Sequence, residues 1–411
     1  MATIKPFQCV RPNGHVADRV AALPYDVYNR QEAKEEVQRE PLSFLKIDRA
    51  ETSFDDSVDT YAPEVYQKAK ELLQQDLADG IYEKDTDVAY YVYELVMDGR
   101  SQTGLVACAA VDDYVDNVIK KHENTRADKE VDRITHVDTC SAQTGPIFLA
   151  YRSQKAINDI VSKTQKNTPL YNFTAVDGIA HKVWKIADST DVDNIQKAFA
   201  GIDQIYIADG HHRAASAVKV GLKRREENPN HTGDEEYNFF LSVLFPHDQL
   251  MIMDYNRTVK DLNGLTTEEF LAKVGEHFHI ESMSEQVKPT SKGVFGMYVD
   301  KQWYQLTADK ALFEGKNAVG SLDVSVLQDY LLGPILGIGD PRTDARIDFI
   351  GGIRGLSELE KRADNDMKVS FSMYPTSITE LFDVADQNLL MPPKSTWFEP
   401  KLRSGLFIHE I

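Results

Sequence analysis

The segment Ile205-Tyr206-Ile207-Ala208-Asp209-Gly210-His211-His212-Arg213-Ala214-Ala215 joins a short apolar β-type run to an Ala-rich helical stretch through Asp-Gly. Two imidazoles and a guanidinium thereby fall in the first turn of a helix. Unpaired backbone N–H groups and the positive end of the helix dipole favour anions there. Arg213 adds a planar fork that matches phosphate, and Asp209 is suited to cap the helix or to hold a metal-bound water. Strand, tight turn, helix and basic first turn predict a phosphate-binding loop. A capped helix with solvated histidines is the plain alternative, but packing does not explain adjacent histidines followed by Arg.

Lys120-Lys121-His122-Glu123-Asn124-Thr125-Arg126 also precedes a helical pattern, with Arg133 and His136 three residues apart on one face of it. Glu123, kept ionised among these cations, could take a proton from a substrate hydroxyl or hold Mg²⁺. An exposed helix laced with ion pairs explains the same spacing. Met391-Pro392-Pro393-Lys394-Ser395-Thr396-Trp397 reads as a stiff loop presenting Lys394, Ser395 and Thr396 to a phosphate or hydroxyl, or as a surface loop docked by its aromatics. Residues 340–348 alternate charges every other position, which predicts a half-exposed strand with cross-strand ion pairs. Asp26 in Pro24-Tyr25-Asp26-Val27 is a candidate ligand or base, although a turn-forming Asp is the commoner role.

Short structural signals must position these groups. Asn29 with Glu32, and Thr125 with Asp128, form capping pairs ahead of helices reaching about Arg39 and Ala142. Val58, Tyr61, Val65, Ala69, Leu72, Leu73 and Leu77 repeat with helical spacing up to Gly80. Residues 88–96 and 104–111 read as strands joined by an Asp98-Gly99 turn. Ile147 to Tyr151 and Ala180 to Lys185 read as strands, with a helix over 192–200. The polar stretch 224–236 predicts a linker, followed by paired strands at 239–245 and 250–254 and helices at 267–276 and 324–332. Strands and helices mix without strict alternation, so the expected class is α+β with a mixed sheet.

Composition narrows the functions. The 411 residues carry 46 basic and 65 acidic side chains, a net charge of −19, which disfavours nucleic acid and anionic lipid as partners. No apolar run approaches the ~18 residues of a membrane span, and the N-terminus lacks a signal-peptide core. Three widely spaced cysteines suggest reduced thiols in a cytoplasmic protein. Walker, Rossmann, His-Glu-x-x-His and Gly-x-Ser-x-Gly signatures are absent.

Taken together, Pro24-Tyr25-Asp26-Val27, Lys121-His122-Glu123-x-Thr125-Arg126, Asp209-Gly210-His211-His212-Arg213, Arg342-x-Asp344-x-Arg346-Ile347-Asp348-Phe349 and Pro393-Lys394-Ser395-Thr396-Trp397-Phe398 resemble the bacterial and archaeal family catalogued as domain of unknown function 1015. The resemblance spans nearly the whole chain in motif order. The Asp-Gly-His-His-Arg loop is also similar to the signature of free-serine kinases of the ParB/sulfiredoxin superfamily. That resemblance implies a ParB/sulfiredoxin-like core with large α/β elaborations. It implies nucleotide-phosphate contacts at Gly210, His211, His212 and Arg213, with Asp209 near metal or substrate, and Glu123 as the base.

The resulting expectation is a small-molecule kinase using ATP or ADP with Mg²⁺ to phosphorylate a hydroxyl, free L-serine being one candidate. Glu123, His211 and Lys394 are its expected catalytic residues. Asp209, Gly210, His211, His212, Arg213, Arg126, Ser395 and Thr396 would hold the nucleotide, and Asp209 and Glu123 the metal. The nucleotide-binding region is expected over 1–227, with a C-terminal α+β region over 237–411 contributing to the same cleft and a homodimer as the candidate oligomer. Two alternatives remain open. One is a metal-dependent hydrolase or phosphatase with ligands among His122, His136, His211, His212 and Asp209. The other is a non-catalytic nucleotide-binding regulator.

Overall fold

The computed structural model describes residues 1–125 and 127–411, apart from the side chain of Asp128. Two compact units emerge: Met1–Leu250 with Pro400–Ile411, and Met251–Glu399.

The first unit is built on a sheet of nine strands among the described residues. From one edge their order is Ile119–Lys120, Ile205–Asp209, Ile147–Tyr151, Phe239–Pro246, Arg100–Ala110, Tyr90–Met97, Ala180–Ile186 and Tyr171–Thr174, and Ile4–Lys5 also pairs with Arg100–Ala110. Ile205–Asp209 runs parallel to Ile119–Lys120, and Phe239–Pro246 parallel to Ile147–Tyr151; the other pairings are antiparallel. The protein is therefore mixed α+β. The long strands form as a hairpin because Asp98 and Gly99 both take positive φ, 51° and 78°, which suits the right-handed twist of the flanking strands.

Continuous apolar runs mark strands covered on both faces, and every residue of Ile147–Tyr151 and of Leu105 to Ala110 is buried. On one face Tyr90, Val92, Leu105, Ala107 and Ala109 pack with Ile157, Ile160, Ile195, Phe199, Ala214 and Ala217. Those partners come from the helices Lys155–Thr164, Ser189–Phe199 and His211–Glu227. The alternate side chains Tyr91 and Tyr93 point the other way, against Phe407. A second core joins Phe44, Leu45, Ile47, Val65, Ala69, Leu73, Cys140 and Ile408 around the helices Leu45–Asp48, Pro63–Ala78 and Ala127–Cys140. All three cysteines are buried and free.

Asn29 and Glu32 close the expected capping box at the start of the helix Arg30–Arg39. The helix Pro63–Ala78 begins later than its apolar repeat suggests, since proline at the first helical position loses no hydrogen bond. The stretch 224–236 lies inside the first unit, because Phe239–Pro246 joins the central sheet between Arg100–Ala110 and Ile147–Tyr151. The strands at 239–246 and 251–253 are consequently not partners, and Met251–Met253 pairs with Trp397–Glu399.

The second unit holds a six-stranded antiparallel sheet in the order Phe278–Met283, Gln302–Ala308, Val294–Val299, Val369–Ser372, Tyr255–Val259, Ile347–Gly351. The helix Leu356–Asn365 buries Leu359 against Tyr298, Trp303 and Ile350. Residues 340–346 form turns rather than a strand. Asp340 pairs with Arg342 and Asp344 with Arg346 within each turn, not across a sheet. The helix expected at 324–332 is α over Asp323–Leu327 and continues as a π-helical turn over Gln328–Leu332. No helix among the described residues is long and apolar enough to cross a membrane.

Candidate functional site

The strand Ile205–Asp209 is buried through Ala208 and delivers Asp209 and Gly210 at its end. Gly210 adopts φ 92°, ψ 34°, a left-handed turn that only glycine takes at little cost, and it serves as the cap residue of the 17-residue helix His211–Glu227. That cap supplies no side-chain hydrogen bond, and no acidic residue lies in the first turn. The helix therefore begins with its positive end unneutralised by its own side chains, the condition that favours a bound anion.

Asp209 does not cap the helix, one of the two roles its type suits. Its Oδ1 accepts the N–H of its own neighbour Gly210 at 2.8 Å, and its Oδ2 accepts from Lys401 Nζ at 3.0 Å. Burial would raise the Asp209 pKa. The charges of Lys401 and Arg213, with the Lys401 hydrogen bond, outweigh that and hold the carboxyl well below the usual carboxylate range.

Arg213 turns back over the loop, where a Cβ on Gly210 would lie 3.0 Å from its Nε and Nη2. Its Nη1 donates to the Pro146 carbonyl at 2.6 Å. This anchor leaves the Nε–Nη2 edge over the glycine turn. Arg213 also lines a small cavity with Tyr25, Asp48, Arg133, His136 and Ser404. A larger cavity of about 320 Å³ shares Tyr25, Asp48, Arg133 and His136 and adds Asp26, Arg49 and Asp132. Arg133 sits 4.0 Å from the Tyr25 ring centre and donates to Asp132 at 3.0 Å, while Thr144 donates to Asp48 at 2.9 Å. Burial pushes the Tyr25 hydroxyl up to about 12, so it stays protonated as a donor.

At the other side of the loop, the His122 and His211 rings meet edge to face with centroids 4.5 Å apart. Glu123 Oε2 lies 3.9 Å from His211 Nδ1. Both imidazoles are buried, and the Glu123 side chain is 43% exposed. Among the described residues, His122 Nδ1 and His211 Nε2 are buried without a hydrogen-bond partner. Burial lowers His122 to about 4 against an opposing hydrogen bond to the Ile207 carbonyl. Burial, then the neighbouring His122, drives His211 well below its ordinary value. Both rings are thus neutral near pH 7.

Of the residues singled out in the sequence, Glu123, Asp209, Gly210, His211, His212 and Arg213 gather at this helix end. Arg126 lies outside the described residues. Lys394, Ser395 and Thr396 belong to the second unit. There Lys394 takes φ 58°, its Nζ lies 5.5 Å from the Tyr255 ring centre, and Ser395 Oγ donates to the Pro392 carbonyl at 2.6 Å. His136 is no partner of the His122 and His211 pair: its Nε2 meets the Ile47 carbonyl at 3.1 Å. Sequence reasoning missed Lys401 and the Asp48 and Arg49 wall. No local signal marks a lysine that pairs across 192 positions.

Several solved structures show a weak similarity to this chain. A free serine kinase in complex with AMP has a TM-score of 0.36 at 14% identity, covering 74% of this chain and 92% of its own. C-terminally truncated SbnI from Staphylococcus aureus has a TM-score of 0.39 at 11% identity, covering 73% and 85%. A conserved hypothetical protein from Pyrococcus furiosus has a TM-score of 0.35 at 14% identity, covering 74% and 94%. No curated protein matches the sequence. A family model does match residues 4–325, and the chain belongs to that family, described as protein of unknown function DUF1015.

Proposed function

We propose that this protein is a phosphotransferase that moves a phosphoryl group from ATP or ADP, with Mg²⁺, to the hydroxyl of a small molecule, with free L-serine the first acceptor to test. One observation carries the reading: the uncapped His211–Glu227 helix opens on a left-handed Gly210 with a basic first turn and Arg213 folded over it. Phosphoryl transfer asks for charge neutralisation and positioning more than for covalent chemistry. In this reading the backbone from Gly210 to Arg213 and the Arg213 Nε–Nη2 edge hold the nucleotide phosphates. Asp209, kept anionic by Lys401, fixes the turn. Glu123, beside His211, orients or deprotonates the acceptor hydroxyl on its own side of the loop. A ParB/sulfiredoxin-like relationship of the core belongs to the same proposal and is supported by the order of strand, Asp-Gly turn and basic helix.

The test is a nucleotide-consumption screen of the purified chain with ATP or ADP and Mg²⁺ across amino acids, polyols and sugars, followed by mass spectrometry of the product. A phosphorylated acceptor with stoichiometric nucleotide turnover is expected. Tight nucleotide binding without product from any acceptor would make the protein a nucleotide-binding module instead.

A further inference from the structure

We infer that His122, Glu123 and His211 form a binding site for one borderline divalent transition-metal ion of the Zn²⁺ class. Each residue offers one ligand atom, and the three atoms lie within 4.8 Å of one another. Two features point to a cation. First, His122 Nδ1 and His211 Nε2 are buried with no hydrogen-bond partner among the described residues, a condition that folded proteins rarely leave uncompensated. Second, the His122 ring also hydrogen-bonds the Ile207 backbone carbonyl, which leaves its Nδ1 lone pair directed away from that bond. A backbone carbonyl on the far nitrogen is the usual outer support of a metal-bound imidazole.

The donor set selects the ion. Two imidazoles and one carboxylate suit Zn²⁺, Mn²⁺, Co²⁺ or Fe²⁺, whereas Mg²⁺ prefers an all-oxygen shell. Bonds of about 2.0–2.1 Å around a tetrahedral ion place ligands roughly 3.4 Å apart. The cluster must therefore contract on binding, by a shift of the half-exposed Glu123 carboxylate toward the two packed rings. His122, Glu123 and His211 are a subset of the metal ligands the sequence suggested, and the others stand apart from them. His212 follows His211 by one position and points about 100° away along the helix. Asp209 is engaged by Lys401 and Gly210, and His136 by Ile47. An ion here would draw on the carboxylate assigned above to the acceptor hydroxyl, so the site is tested without nucleotide and does not depend on the transferase reading.

The experiment titrates the metal-stripped full chain with Co²⁺ and follows the visible ligand-field bands, then displaces Co²⁺ with Zn²⁺ or Mg²⁺. One equivalent of Co²⁺ with imidazole-type bands is expected, displaced by stoichiometric Zn²⁺ and not by a large excess of Mg²⁺. His122→Asn should abolish the bands, and Glu123→Gln, at a half-exposed position that does not threaten the fold, should weaken binding by at least about tenfold, since loss of even an outer group that orients a ligand costs that much. Circular dichroism checks that each variant is folded. Absence of bands in the folded wild type, or unchanged affinity in the folded Glu123→Gln variant, overturns the site. Turnover in the acceptor screen without Co²⁺ binding removes only the metal site. Co²⁺ binding without turnover removes only the transferase.

Discussion

Lys401 Nζ lies 3.0 Å from Asp209 Oδ2, so the last strand segment before the basic helix is tied to the C-terminal stretch of its own unit. Asp209 is about a third exposed and Lys401 a fifth, so the pair is neither fully buried nor freely solvated. The bond does for the loop what a helix cap would otherwise do: it holds Asp209 in place while Gly210 turns the chain.

Replacing Lys401 by Met keeps the apolar stem and removes the charge. The folded Asp209 pKa is depressed, so its contribution to stability is complete above the unfolded value of about 3.9 and is lost as pH falls toward the folded one. Lys401→Met should therefore lower the urea midpoint at neutral pH, and its difference from wild type should shrink below about pH 4. Equal midpoints at every pH would show that the pair contributes nothing.

Arg213→Ala should weaken nucleotide binding by roughly 1.5–3 kcal/mol, the range for a hydrogen bond to a charged partner. Lys at this position should restore little, because an ammonium cannot reproduce the two parallel donors of the guanidinium edge. Calorimetric titration with ADP decides; wild-type affinity in the Ala variant removes Arg213 from the phosphate site.

Glu123→Gln should leave nucleotide affinity nearly intact and lower turnover by about 10²–10⁴-fold if the carboxylate acts on the acceptor hydroxyl. The change preserves shape at a half-exposed side chain. Steady-state kinetics beside nucleotide titrations with and without Mg²⁺ separate this from a role in binding. A Gln variant with full activity ends the assignment.

Two glycines in one helix region should respond differently. A Cβ on Gly221 would lie 2.4 Å from the Tyr237 carbonyl, so Gly221→Ala should cost about 1–3 kcal/mol of stability by overpacking, with nucleotide affinity unchanged in the folded fraction. Gly210→Val forces φ 92° on a β-branched residue and should cost a further strain of about 1–3 kcal/mol. It should also weaken nucleotide binding by displacing Arg213. Urea unfolding and ADP titration of both variants read the contrast.

Acid should destabilise the first unit through His181. The ring is fully buried, accepts from Arg403 Nε at 3.3 Å and meets the Tyr93 hydroxyl at 2.8 Å. Burial, helped by the Arg403 charge, lowers it to about 3. An unfolded histidine protonates near 6.5, so the unfolded chain binds the extra proton between these values and stability falls as pH drops, by about 1.4 kcal/mol per pH unit for one group. His181→Gln should flatten the slope of unfolding free energy against pH below 6.5. An unchanged slope would place the acid sensitivity elsewhere.

What the sequence determined by itself is local. The Asn29 and Glu32 box, the Asp98-Gly99 hairpin and the passage from Ile205–Asp209 into the His211 helix all depend on residues within a few positions of one another, and their side-chain types decide backbone geometry directly. The basic first turn is legible for the same reason. Tertiary structure alone decided the rest. Asp209 could not be seen to bond Lys401 instead of the helix, nor Phe239–Pro246 to insert between distant strands, because pairing across the chain is selected by total burial and not by spacing. The same holds for the cavity wall of Tyr25, Asp48 and Arg133 and for the meeting of His122 with His211, which lie 89 positions apart. Each residue type announces a chemistry, but only the packed sheet and helices bring the types within reach of one ligand.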